Sequence, residues 1–491
     1  LAHIEWEQSS AVGISAIFRR AVAALYALAS QRRCGLEASR LLRRSATSHC
    51  VESDGSERLE DRTRRCGRCP GYHGVDGLRR QERCGVSAES ALVRTAGSEF
   101  ELMCLASRLD IGEQEIAQIR ALVSGRVDWV AWLAAVERNY VAPVMYRNLR
   151  SIEGLGIPPK VLDTLRVRSK ITALKSELFT TELLRLYRIF ESRSIHTINY
   201  KGAVTAEEFY GSIALRNFND LDFLVRRNDL KSLIDVLEAE GYRNSEVLTP
   251  AEFERFVADF KEFLFTRGDI SLEPHWSLTA RRYSFETDYE GFWRRSRMLM
   301  LQGVALRVMC AEDSLLVMCL VGAKGKWKRL QMISDVAACL RKYPNLEWTR
   351  IAAMAAETGS VRILHLGLLL ATELGGAPLP ESVAGVVRQA ASIGKLARAV
   401  VAALAVKPTA PRFLPDSASI FSPLLFSQRE RYRDRWRYLW YTITTPAPIH
   451  TRRLPLPEVG YPLYRIFVPL HDFVIYPTWQ LLKSVIHRER G

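Results

Sequence analysis

Residues 200–226 read YKGAVTAEEFYGSIALRNFNDLDFLVR, and this stretch decides the fold. Lys201-Gly202 makes a turn at the end of an apolar strand. Glycine there tolerates a conformation closed to other residues and lets a backbone approach a ligand closely. The spacing predicts a helix from Ala203 to Tyr210, ended by Gly211, then a loop over Arg216-Asn217-Phe218-Asn219. Asp220 to Val225 follows as a strand. Alternate side chains of a strand share a face, so Asp220 and Asp222 project together while Leu221, Phe223 and Val225 turn into a core. Two carboxylates on one face of a rigid strand suit a divalent cation.

Working outward, Ile195 to Tyr200 alternates as a strand, and Asn228-Asp229 caps a helix that ends near Gly241. Pro250 opens another helix, to about Asp259. KEFLFTR, then Gly268-Asp269, then ISLEPHWSL predicts a hairpin, with Ser271, Glu273 and His275 on one face of its second strand. The result is an α+β fold: a small mixed sheet with helices packed on it. Glu273 adds a third acid to Asp220 and Asp222. Three convergent carboxylates suit Mg²⁺ (or Mn²⁺), which keeps coordination sites for substrate phosphates. The helix N-terminus at Gly202-Ala203 favours an anion, and Lys201 or Arg216 adds charge toward a triphosphate.

The sheet region, 195–303, is expected to lie between a helical region at 98–194 and a helical domain at 304–407, since from Val304 the chain reads as almost all helix. Pro143 and Pro158-Pro159 open two of the earlier helices, and Cys310, Cys319 and Cys339 sit at helical spacing in the later part. Residues 408–491 form an arm rich in Pro, Arg and aromatics. It suits a membrane surface, a protein partner, or packing back on the helical domain. Residues 1–97 differ from the rest, with sixteen arginines, no lysine and five of the nine cysteines. One helical piece, Ala11 to Leu28, is expected there, and the remainder reads as poorly ordered. Cys66 and Cys69 form a CxxC without the second pair that a closed zinc site needs.

A net charge of +15 favours anionic partners: nucleotides, nucleic acid or anionic lipid. No zinc-finger, recognition-helix or RNA-binding signature points to nucleic acid. No apolar run approaches the ~20 residues that span a bilayer, and the N-terminal residues carry no secretory pattern. Cysteines without framework spacing point to a reducing, cytoplasmic setting.

The glycine turn, the acidic pair and the later third acid resemble the nucleotidyltransferase superfamily of DNA polymerase beta type. More closely, the chain is similar to a family of uncharacterised bacterial nucleotidyltransferases. The matching residues are Lys201-Gly202-Ala203, Arg216, Asp220-Leu221-Asp222 and Glu273-Pro274-His275-Trp276, and the likeness runs from about residue 98 to the end. The resemblance implies metal-dependent transfer of a nucleoside monophosphate from an NTP, ATP first among them, to an acceptor the sequence does not specify. It implies catalytic and metal-holding roles for Asp220, Asp222 and Glu273, nucleotide binding at Lys201, Gly202, Ala203 and Arg216, and support from His275 and Trp276. Three features depart from the pattern. Ala203 replaces the usual serine, Glu273 the usual aspartate, and LVGAKGKW has Val321 and Gly325 where the family carries histidines. Those losses leave open a catalytically inactive binding module on the same fold.

Overall fold

Seven strands form one sheet in the order β3-β4-β5-β2-β1-β7-β6. The computed structural model describes residues 96–246, 248–283, 285–405, 422–446 and 458–471, with Leu92, Ile475 and Thr478. These fall in one compact unit, Glu89–Gly491. The expected helix at Ala11–Leu28 and the Cys66/Cys69 pair lie outside the described residues. The strands are β1 (Thr197–Asn199), β2 (Leu221–Val225), β3 (Arg243–Asn244), β4 (Phe265–Arg267), β5 (Ile270–His275), β6 (Arg297–Leu301) and β7 (Val304–Val308). β2 runs parallel to β5 and antiparallel to β1, and β1 runs parallel to β7.

β2 sits in the middle, and all five of its residues are buried. Leu221, Phe223 and Val225 enter the main sheet core with Phe190, Leu233 and Phe265, as the alternation predicts. The opposite face is covered too. Leu224 packs there with Ile198, Tyr200, Leu278 and Phe292. Asp222 therefore shares a face with apolar neighbours, and its charge has to be met by partners inside the protein.

The sheet crosses the boundary expected at 303/304. β6 and β7 form a hairpin through Gln302 and Gly303, both in the left-handed region at φ 46° and 79°. β7 then lies against β1, with Asn199 opposite Val308. The helical part begins after that hairpin, at Ala311.

The helices before and after the sheet share one core. Phe100, Trp132, Met145 and Leu165 pack in the same cluster as Leu315, Trp327, Ile363 and Val400. A 34-residue helix, Pro159–Ser192, joins this cluster to the sheet. Val161 and Leu165 belong to the helical core, whereas Phe179, Leu183 and Phe190 belong to the sheet core. At 1.5 Å per residue the helix is about 51 Å long.

Helix Ala311–Lys324 ends in a tight structure that seats Trp327. Trp327 is fully buried, its φ is 51°, and its backbone N–H donates to the Gly322 carbonyl at 2.8 Å. The ring lies where a Cβ on Gly322 would stand, 2.4 Å from its nearest atom, and 3.1 Å from where one on Gly367 would. Two glycines thus open a slot for one indole. Gly322→Ala is expected to cost about 1–3 kcal/mol through overpacking. The urea midpoint should fall with the slope unchanged, and an unaltered midpoint would show that the slot is looser than this.

Candidate active site

The site is built at the end of β2 and β5 next to the Lys201-Gly202 turn. Gly202 has φ 58° and ψ −124°, a conformation that residues with a side chain avoid. Its carbonyl accepts the N–H of Ala206 at 3.1 Å, so the turn runs directly into helix Ala203–Tyr210. Ala203 is fully buried in the sheet core and offers the site only its backbone.

The parallel pairing of β2 with β5 places Asp222 opposite Glu273. Lys201 Nζ donates to Asp222 Oδ1 at 2.7 Å, and His275 Nε2 lies 2.8 Å from the same oxygen. Asp222 is 6% exposed and His275 0%, so both contacts act in a low-dielectric setting. Among the described residues Asp222, Glu273 and His275 are the group whose ligand atoms all come within 4.8 Å of one another. Asp220 precedes β2 by one residue and stands outside that group.

Electrostatics separates the three acids. Burial opposes ionisation of Asp222, but Lys201 and His275 outweigh it and hold the carboxyl well below the usual range. Asp220 has weaker compensation: burial, then the charges of Asp222 and Glu273, push its carboxyl up to about 6. Glu273 shifts upward by burial and then by Asp222. The raised acids mark a place where carboxylates crowd one another, and a cation would relieve that repulsion. The donor set fits a divalent metal: hard carboxylate oxygens, with one imidazole nitrogen in reach.

Cations converge on the same place. Burial disfavours the Lys201 ammonium, but Asp222, Tyr200 and Asp220 together outweigh it and hold Lys201 charged. Lys261 is 9% exposed, and its Nζ contacts Glu262 and lies 3.4 Å from His275 Nδ1. Burial, then the charges of Lys324 and Lys201, push the Lys261 ammonium downward. Lys324, at the C-terminus of helix Ala311–Lys324, is shifted down by burial and then by Lys201, and it feels Asp222 and Glu273. Burial, then Lys261, keeps His275 neutral. A neutral imidazole that accepts from Lys261 at Nδ1 can donate from Nε2 to Asp222, which orients the carboxylate.

Two of the expected residues sit apart from this group. Arg216 makes a bidentate pair with Asp335, Nε to Oδ1 and Nη2 to Oδ2, each at 2.8 Å. Tyr210 donates to the same Asp335 at 2.8 Å. Arg216 therefore ties the loop before β2 to helix Leu330–Lys342. Trp276 is 1% exposed, donates from Nε1 to the Val257 carbonyl at 2.8 Å, and packs on Phe263 in the sheet core.

Lys261 and Glu262 were not expected from the sequence. They lie in an irregular segment that a single bridge, Glu262 to His275, attaches to the sheet. A Lys-Glu pair ahead of a strand carries no periodic signal, so only the fold brings it here.

The geometry can be set beside known proteins. A family model described as "Uncharacterised nucleotidyltransferase" matches residues 125–376, just over half of the chain and inside the span expected from the sequence. No curated protein matches the chain. Among solved structures, one of ANT(2")-Ia in complex with adenylyl-2"-tobramycin is similar over 36% of this chain and 94% of that one. The identity is 15% and the TM-score 0.25, a superposition too poor to bear on chemistry. On the family match, which contains the glycine turn, Asp220, Asp222, Glu273 and Lys324, the chain belongs to the uncharacterised nucleotidyltransferase family.

Proposed function

We propose that the chain is a metal-dependent enzyme that moves a nucleoside monophosphate from an NTP, with ATP the first candidate, to an acceptor group. The observation that carries this reading is the pairing of Asp222 with Glu273 on adjacent parallel strands, with Lys201 bound to Asp222 beside a glycine turn. It supports the reading because carboxylates suited to a metal stand next to ammonium groups suited to a phosphate chain.

Asp222, Glu273 and Asp220 would hold Mg²⁺ (or Mn²⁺). Such a cation, when bound, offsets charge on the phosphates during in-line displacement. The chain's own residues do the rest. His275 and Lys201 fix Asp222 in one orientation. The backbone at Gly202-Ala203 and the start of the following helix receive a phosphate. Lys324 supplies positive charge for the remaining phosphates, and Lys261 stands behind His275. Arg216 adds charge near Asp220, while its forked donors are taken by Asp335. Glu273, whose carboxyl is shifted upward, would take a proton from an acceptor hydroxyl.

The first test replaces charge without deleting volume. Asp222→Asn keeps an acceptor for Lys201 and His275, so the fold should persist where Asp222→Ala leaves two buried donors unmatched. Asp222→Asn with Asp220→Asn is expected to lower Mg²⁺-dependent NTP turnover by roughly a hundredfold or more, with an unchanged circular dichroism spectrum. Full turnover in the double variant sinks the assignment. Calorimetry with ATP and Mg²⁺ adds a second readout, since failure of the parent chain to bind would favour a non-catalytic binding module.

Lys324 gives an independent prediction. Lys324→Ala should weaken ATP binding by about tenfold or more, the size of one charge-assisted hydrogen bond, and Lys324→Arg should restore part of it. Equal affinity in parent and Lys324→Ala would remove this residue from the phosphate site.

A further inference from the structure

Helix Tyr432–Thr444 has two sharply different faces. Asp434, Tyr438 and Thr442, spaced four apart, are buried. Tyr438 accepts the Ser422 N–H at 2.9 Å and stacks on Tyr283 at 6.5 Å, which fixes the rotation of the helix. Tyr432, Trp436 and Trp440, also four apart, therefore point outward and are 76%, 68% and 59% exposed. The neighbouring helix Tyr464–Leu470 repeats the division. Tyr464 and Val468 are buried, whereas Leu463 just before it, Ile466 and Leu470 are 55%, 69% and 47% exposed. Projecting indoles and aliphatics on two packed helices are costly to leave in water.

The charges beside this face are sorted by sign. Two acids turn inward: Glu430 accepts the backbone N–H groups of Val361 and Arg362 at 3.1 and 2.7 Å, and buried Asp434 pairs with Arg429 at 3.1 Å. Arg429 is buried, but three arginines turn outward: the Arg433 side chain is 63% exposed, and Arg431 and Arg465 are exposed as well. Glu286 takes up part of the charge of Arg433 and Arg437. Among the described residues from 429 to 471 the chain has six Arg against three Asp and Glu, so the edge stays positive.

We infer that the outer face of helix Tyr432–Thr444, with Leu463, Ile466 and Leu470, docks on the surface of a bilayer containing anionic lipid. Trp and Tyr are the residues whose amphipathic rings settle at the headgroup level, and arginine at the rim meets lipid phosphate. Side chains that stand clear of the surface suit a soft apolar layer, whereas a protein partner would need matching pockets. Among the described residues no helix is long and apolar enough to cross a membrane, so the contact is with its surface.

The test uses the purified full chain in flotation with phosphatidylcholine vesicles, with and without phosphatidylglycerol. The chain should float with the phosphatidylglycerol vesicles, and the tryptophan emission should shift to the blue. Trp436→Ser with Trp440→Ser should lower partitioning roughly tenfold or more. Arg433→Glu with Arg465→Glu should abolish the dependence on phosphatidylglycerol. All four residues are surface residues, and an unchanged melting curve will show that the fold is kept. Flotation with neither vesicle, or equal flotation of the tryptophan variant, overturns the inference. So does a concentration-dependent dimer that Trp436→Ser with Trp440→Ser dissolves in the absence of lipid, because the face would then bind a second copy.

Discussion

Burying the Asp222 carboxylate is the constraint around which the site is arranged. A lone charge at 6% exposure between apolar neighbours would be neutralised or would unfold its surroundings. Here Lys201 and His275 both approach Oδ1, and both come from elements that border β2 in space. The turn at Gly202 brings Lys201 round. The parallel register of β5 brings His275 and Glu273. Lys261 and Glu262 lie behind the imidazole. Each feature of the site follows from meeting one buried charge and leaving its acidic neighbours, which are shifted upward, in need of a cation.

The sequence made the local parts of this arrangement legible. A glycine that requires positive φ, an alternating strand and a hairpin with a Gly-Asp turn are short-range signals, and each appears where expected, except that Asp220 falls one residue before the strand. Glu273 was readable for the same reason, since strand alternation places it with His275. What was hidden depends on long-range pairing. Lys261 and Glu262 reach the site through one bridge, and Asp335 meets Arg216 from a helix more than a hundred residues away. The spacing identified Arg216 as a candidate phosphate ligand and had no means to reveal its partner.

The β6–β7 hairpin was missed on different grounds. RMLML and VALRV alternate weakly, and the turn has Gln302 where the usual hairpin signal is Asn or Gly. Its outer residues Met298 and Met300 are exposed, so the apolar pattern does not mark the buried face. The union of early and late helices in one core is equally silent in sequence. An amphipathic helix announces that it has an apolar face and says nothing of which helix will cover it.

The Pro159–Ser192 helix has a mechanical meaning. One unbroken rod, with its first turns in the helical core and its last turns in the sheet core, leaves no flexible joint between the two. Many phosphate-transferring enzymes admit substrate by swinging one lobe against another, with a few loop residues as the pivot. This architecture resists that motion. On the proposed reading, access to the acids and lysines would depend on small local movements and not on a hinge between lobes. On the proposed reading, an acceptor would meet a largely preformed surface.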